Sequence, residues 1–227
     1  MSVAGQSQDA NSAPSGGSEQ RRFASVGAIV YLHGFRSSPA SIKATRLRAF
    51  VESLASPPVL HIPALQHRPA EAMRQVTDWV DAKARGDLTF VGSSLGGFYA
   101  TFLAERYGAR AVMINPAVRP YEALATSLGV QTNLYTGEAF EVTRSHMDEL
   151  RAMAVTRITH PNRYFLLVET ADEVLDYREA VAFYAGAFQY VRGGGNHTFT
   201  EFDAQIPAIL RFAGIAAGAP PHSPRPD

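Results

Sequence analysis

The chain has 227 residues, of which 46% are hydrophobic, and 21 Lys and Arg residues balance 21 Asp and Glu residues. This neutral balance argues against a nucleic-acid-binding protein, and the absence of cysteine excludes disulfides, thiolate zinc sites and a cysteine nucleophile. No stretch approaches the ~20 apolar residues of a membrane span, and the N-terminus lacks the pattern of a secretory signal. We therefore expect a cytoplasmic protein with no nucleic-acid partner and no membrane span.

Both ends of the chain are poor in residues that could form a core. Residues 1–22 are rich in Ser, Gly, Ala and Gln, and residues 214–227 are rich in Ala, Gly and Pro. Such composition is typical of disordered tails. The folded body is therefore expected to span residues 23–213.

Within this body, short apolar runs alternate with segments of helical periodicity. Six runs have the length and character of buried strands: 28–33, 58–65, 88–92, 111–116, 163–169 and 188–193. Between and after them, helices are predicted at 41–54, 70–84, 96–107, 176–185 and 201–213. This alternation predicts an α/β fold, with a mostly parallel central sheet and helices on both faces.

Residues 117–160 interrupt the alternation of strands and helices. This segment is long and mixed, and it carries an amphipathic stretch around Met147, Leu150 and Met153. We interpret it as a small helical insertion that folds over the sheet like a lid.

Two adjacent serines lie among glycines in FVGSSLGGF, residues 90–98. Gly92, Ser94 and Gly96 fit the pattern G-x-S-x-G, in which a sharp strand-to-helix turn raises the central serine above the sheet. The glycines leave room for that turn, and a predicted strand and helix flank it as the motif requires. The spacing assigns a nucleophile to Ser94 rather than Ser93. The alternative is a serine that only caps the following helix.

A serine nucleophile needs an adjacent base, and after this motif an acid and then a histidine follow in chain order. Three carboxylates, Asp172, Glu173 and Asp176, follow the strand at 163–169. Asp172 is nearest the carboxyl end of the strand, where the sites of open α/β sheets lie. Asp176 is predicted within the next helix, and Glu173 would have to reach back. Asp172 is therefore the preferred acid, although it could also cap that helix.

The preferred base among the seven histidines is His197. It follows the last strand, as the chain order requires, and three glycines before it permit a tight loop that aims the imidazole at Ser94. The other histidines lie in a tail, in a strand, on loops or in the insertion. His33, which ends the first strand, is interpreted as a structural residue bonded to the backbone.

An oxyanion site needs backbone N–H donors where negative charge develops. The N–H of Leu95 directly follows the candidate nucleophile. YLHGF at 31–35 ends the first strand, which makes the N–H of Phe35 the second candidate donor. The reaction predicted from these residues needs no metal and no cofactor.

The insertion is expected to shape the pocket for the acyl group. The candidate lining residues are Val118, Tyr121, Leu124 and Leu134. The alternative is that these side chains anchor the insertion to the core. Arg36 and Arg119 lie near the motif loops and could contact an anionic group such as a CoA phosphate, or form surface salt bridges.

Several segments together resemble the YqiA-type esterases, which are small bacterial α/β-hydrolases. They are YLHGFRSSPASIKA (31–44), VGSSLGGFYAT (91–101), NPAVRP (115–120), YTGE (135–138), DEVLDYREAV (172–181) and GGNHTFTEF (194–202). The resemblance spans about residues 29–213. It implies an α/β-hydrolase fold, and it places the family's nucleophile on Ser94, its acid on Asp172 and its base on His197. It also implies activity on short acyl esters, or on acyl-CoA thioesters.

The leading hypothesis is therefore a hydrolase of small-molecule carboxylic esters that uses a Ser-His-Asp triad. An acyl-CoA thioesterase with the same triad is a close alternative. The third hypothesis is a non-catalytic binding protein on a hydrolase fold, and the presence of all three triad residues at the expected positions argues against it. The sequence does not predict the oligomeric state.

Overall fold

The computed structural model of the protein describes residues 27–84 and 86–216. The expected tail at 1–22 and residues 217–227 of the second tail lie outside the described residues. Ile215, however, packs against the core, and its N–H donates to the carbonyl of Leu210 at 2.9 Å. The packed body therefore extends past residue 213, because the apolar side chain of Ile215 follows the last helix and packs against the core.

The described residues form eight strands: β1 (Ala28–Leu32), β2 (Val59–His61), β3 (Leu88–Ser93), β4 (Arg110–Ile114), β5 (Gly129–Thr132), β6 (Ala139–Val142), β7 (Tyr164–Glu169) and β8 (Phe188–Arg192). Six of them form the central sheet in the order β2-β1-β3-β4-β7-β8, and every neighbouring pair is parallel. Each of these six overlaps one predicted run. The predicted parallel sheet is confirmed.

The helices are α1 (Ile42–Glu52), α2 (Pro69–Lys83), α3 (Leu95–Tyr107), α4 (Pro120–Ala123), α5 (Arg144–Ala152), α6 (Tyr177–Phe183) and α7 (Phe202–Phe212), with short 3-10 turns at Leu124–Ser127 and Pro161–Arg163. None of the helices within residues 27–84 and 86–216 is long and apolar enough to cross a membrane. In α2, Pro69 lies in the first turn, where the N–H it lacks has no helical partner. Helix α3 ends at Gly108, whose φ of 63° suits a glycine cap.

Both faces of the sheet are covered because successive residues of a strand point to opposite sides. In β1, Val30 and Leu32 pack into a core with residues of α2, α3, α5 and α6. Ile29 and Tyr31 pack on the other side with residues of α1 and α7. Helices therefore cover both faces, as predicted. The parallel pairing of the strands brings the carboxyl ends of all six to one edge of the sheet.

The insertion is more mixed than the predicted helical lid. It contains α4 and α5, and between them β5 and β6 pair as an antiparallel hairpin. Helix α5 buries Met147 and Leu150 against the core, which accounts for the amphipathic stretch in the sequence. The hairpin escapes sequence analysis because its strands have only four residues each and are largely exposed.

Candidate active site

Ser94 occupies the turn between β3 and α3. Its φ of 56° and ψ of −120° lie in a region that non-glycine residues rarely adopt, at a cost of about 1–3 kcal/mol. Backbone hydrogen bonds hold it there: its N–H donates to the Ile114 carbonyl at 3.0 Å, and its own carbonyl accepts from Gly97 at 2.9 Å and Ala117 at 3.1 Å. The geometry is the strained strand-turn-helix that the motif predicts.

The two glycines of the motif are required by the close approach of backbone segments. A Cβ atom on Gly92 would lie 2.0 Å from the Gly96 carbonyl oxygen. A Cβ atom on Gly96 would lie 1.9 Å from the carbonyl oxygen of Leu32, at the end of β1. Both separations are far inside van der Waals contact. Gly92 therefore lets the turn at Ser94 fold tightly on itself, and Gly96 lets the turn pack directly against the end of β1.

His197 and Asp172 form a hydrogen-bonded pair at the same edge of the sheet. His197 Nδ1 lies 2.8 Å from Asp172 Oδ2 and 3.0 Å from Oδ1, and the Asp172 side chain is only 2% exposed. Oδ1 also accepts the N–H groups of Val174 at 2.8 Å and Leu175 at 2.9 Å. The carboxylate is thus fixed from two sides and faces the imidazole.

Asp172 does not cap the following helix. Helix α6 begins at Tyr177, and Asp176 is its N-cap, with Oδ1 accepting the N–H of Arg178 at 3.0 Å. Glu173 accepts the backbone N–H of His197 at 2.9 Å. Of the three carboxylates left open by the sequence, Asp172 alone therefore contacts the His197 ring.

The electrostatics of the pair favour an ionised Asp172. Burial raises the pKa of Asp172, but the hydrogen bonds from His197 and from the Leu175 and Val174 amides outweigh it, so the pKa lies below its ordinary value of 3.8. An ionised carboxylate accepts the Nδ1 proton of a neutral imidazole. The other ring nitrogen, Nε2, then lacks a proton and can act as a base.

Ser94 and His197 line one cavity of about 480 Å³. Gly34 and Phe35 from the loop after β1 lie on its wall, and Leu134 reaches it from the insertion. A second cavity of about 240 Å³ is also lined by Phe35, and Leu95 lies on its wall. Phe35 therefore borders both cavities, whereas Leu95 lines only the second one.

The loop that carries Phe35 is held close to Ser94. A Cβ atom on Gly34 would lie 3.2 Å from Ser94 Cβ. His33, which is buried, anchors the loop: its Nε2 accepts the N–H of Leu65 at 3.1 Å, and Nδ1 lies 3.1 Å from the Gly34 carbonyl. Burial lowers the pKa of His33, which favours the neutral ring that this pattern requires. This is the structural role that the sequence predicts for His33.

The four candidate lining residues do not lie together. Leu134 lines the Ser94 cavity and is 70% exposed. Val118, Tyr121 and Leu124 are not among the residues that line this cavity; they pack against the core shared by α2 and α3. Their placement favours the alternative that they anchor the insertion.

The two arginines near the motif loops are engaged within the chain. Arg36 Nε donates to the carbonyl of Thr132, at the end of β5, at 2.8 Å. Arg119 forms ion pairs with Glu122 and Glu179.

Among the described residues, no group of three His, Asp or Glu side chains is arranged to hold a metal ion.

Glu169 is a site residue that sequence analysis missed. It ends β7, its side chain is fully buried, and its carboxylate accepts hydrogen bonds from the loop that carries His197. Oε2 accepts the N–H groups of Asn196 at 2.8 Å and Thr200 at 3.0 Å. Oε1 accepts from Thr200 Oγ1 at 2.7 Å and from Arg192 Nη1 at 3.0 Å. Glu169 thus accepts hydrogen bonds from Asn196 and Thr200, which lie on either side of His197 in the short turn.

Asn115, directly after β4, holds the same loop from the other side. Its Nδ2 donates to the carbonyls of Asn196 at 3.0 Å and His197 at 3.2 Å, and its Oδ1 accepts the N–H of Glu169 at 3.0 Å. The only available signal for these two residues is a polar side chain at the end of an apolar strand. That signal does not identify a partner.

The six-stranded sheet with its serine turn is the architecture of the α/β-hydrolases. Similar structures include alpha/beta hydrolase domain-containing protein 10 from mouse (TM-score 0.64, 19% identity, 82% of this chain and 89% of that chain) and Est1E from Butyrivibrio proteoclasticus (0.61, 15%, 83% and 87%). A third is a monoacylglycerol lipase from Paleococcus ferrophilus (0.60, 14%, 83% and 94%). At these identities the likeness shows the fold alone.

The chain belongs to the uncharacterised protein family UPF0227, the YqiA family, whose family model matches residues 28–214. The resemblance read from the sequence segments is confirmed, and it covers nearly all of the described residues.

Proposed function

We propose that the protein is a serine hydrolase that cleaves carboxylic esters with short acyl chains. The observation that carries the proposal is one cavity that holds both Ser94, in its strained turn, and His197, paired to the buried Asp172 at 2.8 Å. A strained serine beside an oriented imidazole is the arrangement that activates a hydroxyl for attack on an acyl group.

The proposed reaction has two halves. Ser94 Oγ attacks the acyl carbonyl while His197 Nε2 takes its proton, and the N–H groups of Phe35 and Leu95 stabilise the oxyanion. The bond to the alcohol oxygen then breaks, and His197 returns the proton to the leaving alcohol. Water attacks the acyl-enzyme with His197 as base, the acid is released and Ser94 regains its proton. Asp172 holds the imidazole tautomer and stabilises the imidazolium.

The size and walls of the cavity support a small ester substrate. A volume of about 480 Å³ is within the range of pockets for small molecules, and Ile42, Leu134 and Tyr135 give its rim an apolar character. Of the similar structures above, one is named as a monoacylglycerol lipase, and Est1E has also been solved with ferulic acid bound.

An acyl-CoA thioesterase is the second candidate, because the same residues would attack a thioester carbonyl. The open rim favours it, since a large leaving group could extend past the exposed Leu134 into solvent. Initial rates with a series of acyl-CoA thioesters, measured beside aryl esters of matched chain length, separate the two substrates.

Labelling with a fluorophosphonate probe tests the proposal. The wild type should be labelled, and Ser94→Ala should lose both labelling and turnover, with kcat reduced by about 10⁶-fold. Ser93→Ala is the matched control, because Ser93 is the adjacent serine and is not the predicted nucleophile. It should keep labelling and much of the turnover. An unlabelled wild type, or equal labelling of Ser94→Ala, would contradict the proposal and favour a non-catalytic binding protein.

A further inference from the structure

A lysine on the wall of the Ser94 cavity has no role in the proposed reaction. Lys43 lies in the first turn of α1, and its Nζ donates to the carbonyl of Thr198, the residue after His197, at 2.7 Å. Lys43, Ser94 and His197 line the same cavity. A positive charge therefore lies on the wall of the cavity that also holds the candidate nucleophile.

The Lys43 ammonium has unused binding capacity. It forms no ion pair with a carboxylate within 4.0 Å among the described residues, and its one hydrogen bond leaves two of three N–H donors free. Burial lowers the pKa of Lys43 to about 8, against the opposing charges of Asp172 and Glu169. At neutral pH the ammonium form still predominates, on a residue that is partly buried.

The neighbouring residues add further groups that favour an anion. Ser41, at the N-cap position of α1, is buried in the same cavity wall, and its hydroxyl does not cap the helix. Ser41 Oγ makes no hydrogen bond of good geometry, although the Tyr31 hydroxyl interacts with it. The N-terminus of α1 carries the positive end of the helix dipole. An ammonium, a hydroxyl and a helix N-terminus thus lie on the wall of the cavity that also holds Ser94.

Arg46, one turn further along α1, differs from Lys43 in its pairing. It also lines the cavity, but it forms an ion pair with Asp203 at 3.1 Å, and both side chains are about 60% exposed. Its charge is compensated and hydrated. Lys43, in contrast, has no carboxylate within ion-pair distance among the described residues, and only the more distant charges of Asp172 and Glu169 act on it.

We propose that Lys43 and Ser41, at the N-terminus of α1, form an anion-binding subsite beside Ser94, so that the preferred substrates are esters carrying a carboxylate or phosphate group near the scissile bond. This inference rests on the proposed hydrolase function and names its substrate class. The competing role for Lys43 is purely structural, in which its bond to Thr198 only holds the His197 loop.

Two pairs of esters test the subsite. Para-nitrophenyl butyrate and mono-para-nitrophenyl succinate differ by a carboxylate on the acyl half. The methyl ester of para-butyryloxybenzoate and para-butyryloxybenzoate itself differ by a carboxylate on the leaving group. The wild type, Lys43→Met, Lys43→Arg and Arg46→Met are compared by kcat and KM on all four.

The wild type should prefer the anionic member of at least one pair, and that pair shows which half of the substrate carries the anion. Lys43→Met should lower kcat/KM for that ester about 10-fold or more through KM. Any loss on the neutral ester should be smaller and should appear in kcat, because the bond from Lys43 to Thr198 in the His197 loop is lost with both substrates. Lys43→Arg should keep most of the preference. Arg46→Met, which removes a charge from the same helix, should change it little.

Three results would overturn the subsite: no preference for an anion in the wild type, an equal loss on neutral and anionic esters in Lys43→Met, or an equal effect of Arg46→Met. The first does not depend on the folding of any variant. In all three cases, labelling and turnover of the neutral esters by the wild type would leave the proposed function intact. Absence of both would refute the proposed function, and the subsite with it.

Discussion

Replacing Glu169 with Gln tests whether this buried carboxylate positions the loop of His197. The two Glu169 oxygens accept from five donors: Arg192 Nη1, Thr200 Oγ1, Thr200 N, Asn196 N and Glu201 N. An amide has only one oxygen, so in either orientation its NH₂ group must face donors instead of accepting from them. The variant therefore changes the hydrogen bonding of the loop while keeping the size of the side chain.

The structure sets the size of the expected effect. If the NH₂ group takes the place of Oε2, two fixed backbone donors, Asn196 N and Thr200 N, lose their acceptor. Each bond to a charged group contributes about 1.5–3 kcal/mol, so the free energy of unfolding should fall by about 3 kcal/mol or more. This is a large part of the 5–15 kcal/mol typical of a folded protein. A shift of His197 by about 1 Å would also lower kcat about 100-fold.

Urea unfolding followed by circular dichroism gives the stability, and aryl ester hydrolysis gives kcat and KM separately. Glu201→Gln is the control, because Glu201 also pairs with Arg192, at 3.1 Å, but its side chain is 37% exposed. It should cost less than about 1 kcal/mol and leave kcat unchanged. Wild-type stability in Glu169→Gln, or lost stability with unchanged kcat, would refute the positioning role.

The pH dependence of stability gives a second test of Glu169. Burial raises the pKa of Glu169, but hydrogen bonds from Thr200, Asn196 and Glu201 outweigh it, so the folded-state pKa lies below 4.5. A carboxyl group with a lowered pKa stabilises the fold above its unfolded pKa, and this contribution is lost as the pH falls through the folded pKa. The stability gap between wild type and Glu169→Gln should therefore be full at neutral pH, begin to narrow once the pH falls below about 4.5, and disappear as the pH passes the lower folded-state pKa.

Two further variants test the site. Asp172→Asn should lower kcat about 10⁴-fold, because an amide that donates to Nδ1 favours the wrong imidazole tautomer. Ester hydrolysis by the control, Asp176→Asn, should stay near wild type. A loss of less than tenfold in Asp172→Asn would contradict the proposed role of Asp172 in holding the imidazole. Gly195→Ala should destabilise the fold by about 2 kcal/mol or more in urea unfolding, since φ is +74° and its Cβ would lie 1.9 Å from Glu169 Oε2. Gly193→Ala, with nothing within 4 Å, should cost about 1 kcal/mol or less; equal costs would contradict the clash.

The central sheet could be predicted because its four inner strands, β1, β3, β4 and β7, are mostly buried on both faces and read as apolar runs. Chain order then ranks the site residues, since parallel strands place the loops after them at one edge of the sheet. Ser94, Asp172 and His197 each follow such a strand, and the structure brings the last two into contact at 2.8 Å. Their catalytic roles stay predictions until the variants are measured.

The insertion could not be predicted to the same depth, because its strands are short and its apolar residues have two possible uses. In the sequence, Val118, Tyr121 and Leu124 could equally line a pocket or contact the core. Only the packed structure distinguishes these two possibilities. Leu134 reaches the cavity because the hairpin loop bonds to the loop after β1, where the N–H of Leu134 donates to the Arg36 carbonyl at 2.9 Å. The two residues of that contact lie far apart in the sequence, one after β1 and the other after β5.

The two residues that sequence analysis missed, Asn115 and Glu169, are polar or charged groups whose partners are mostly backbone groups distant in the sequence. Pairing of β4 with β7 puts Asn115 beside Glu169, and both then bind the loop around His197, which follows β8. A local pattern cannot contain these contacts. What the sequence does show is an acid that ends an apolar strand, in RYFLLVE at 163–169. Since an unpaired buried carboxylate is costly, an acid at that position implies a set of donors from the neighbouring loop, and that loop carries the candidate base.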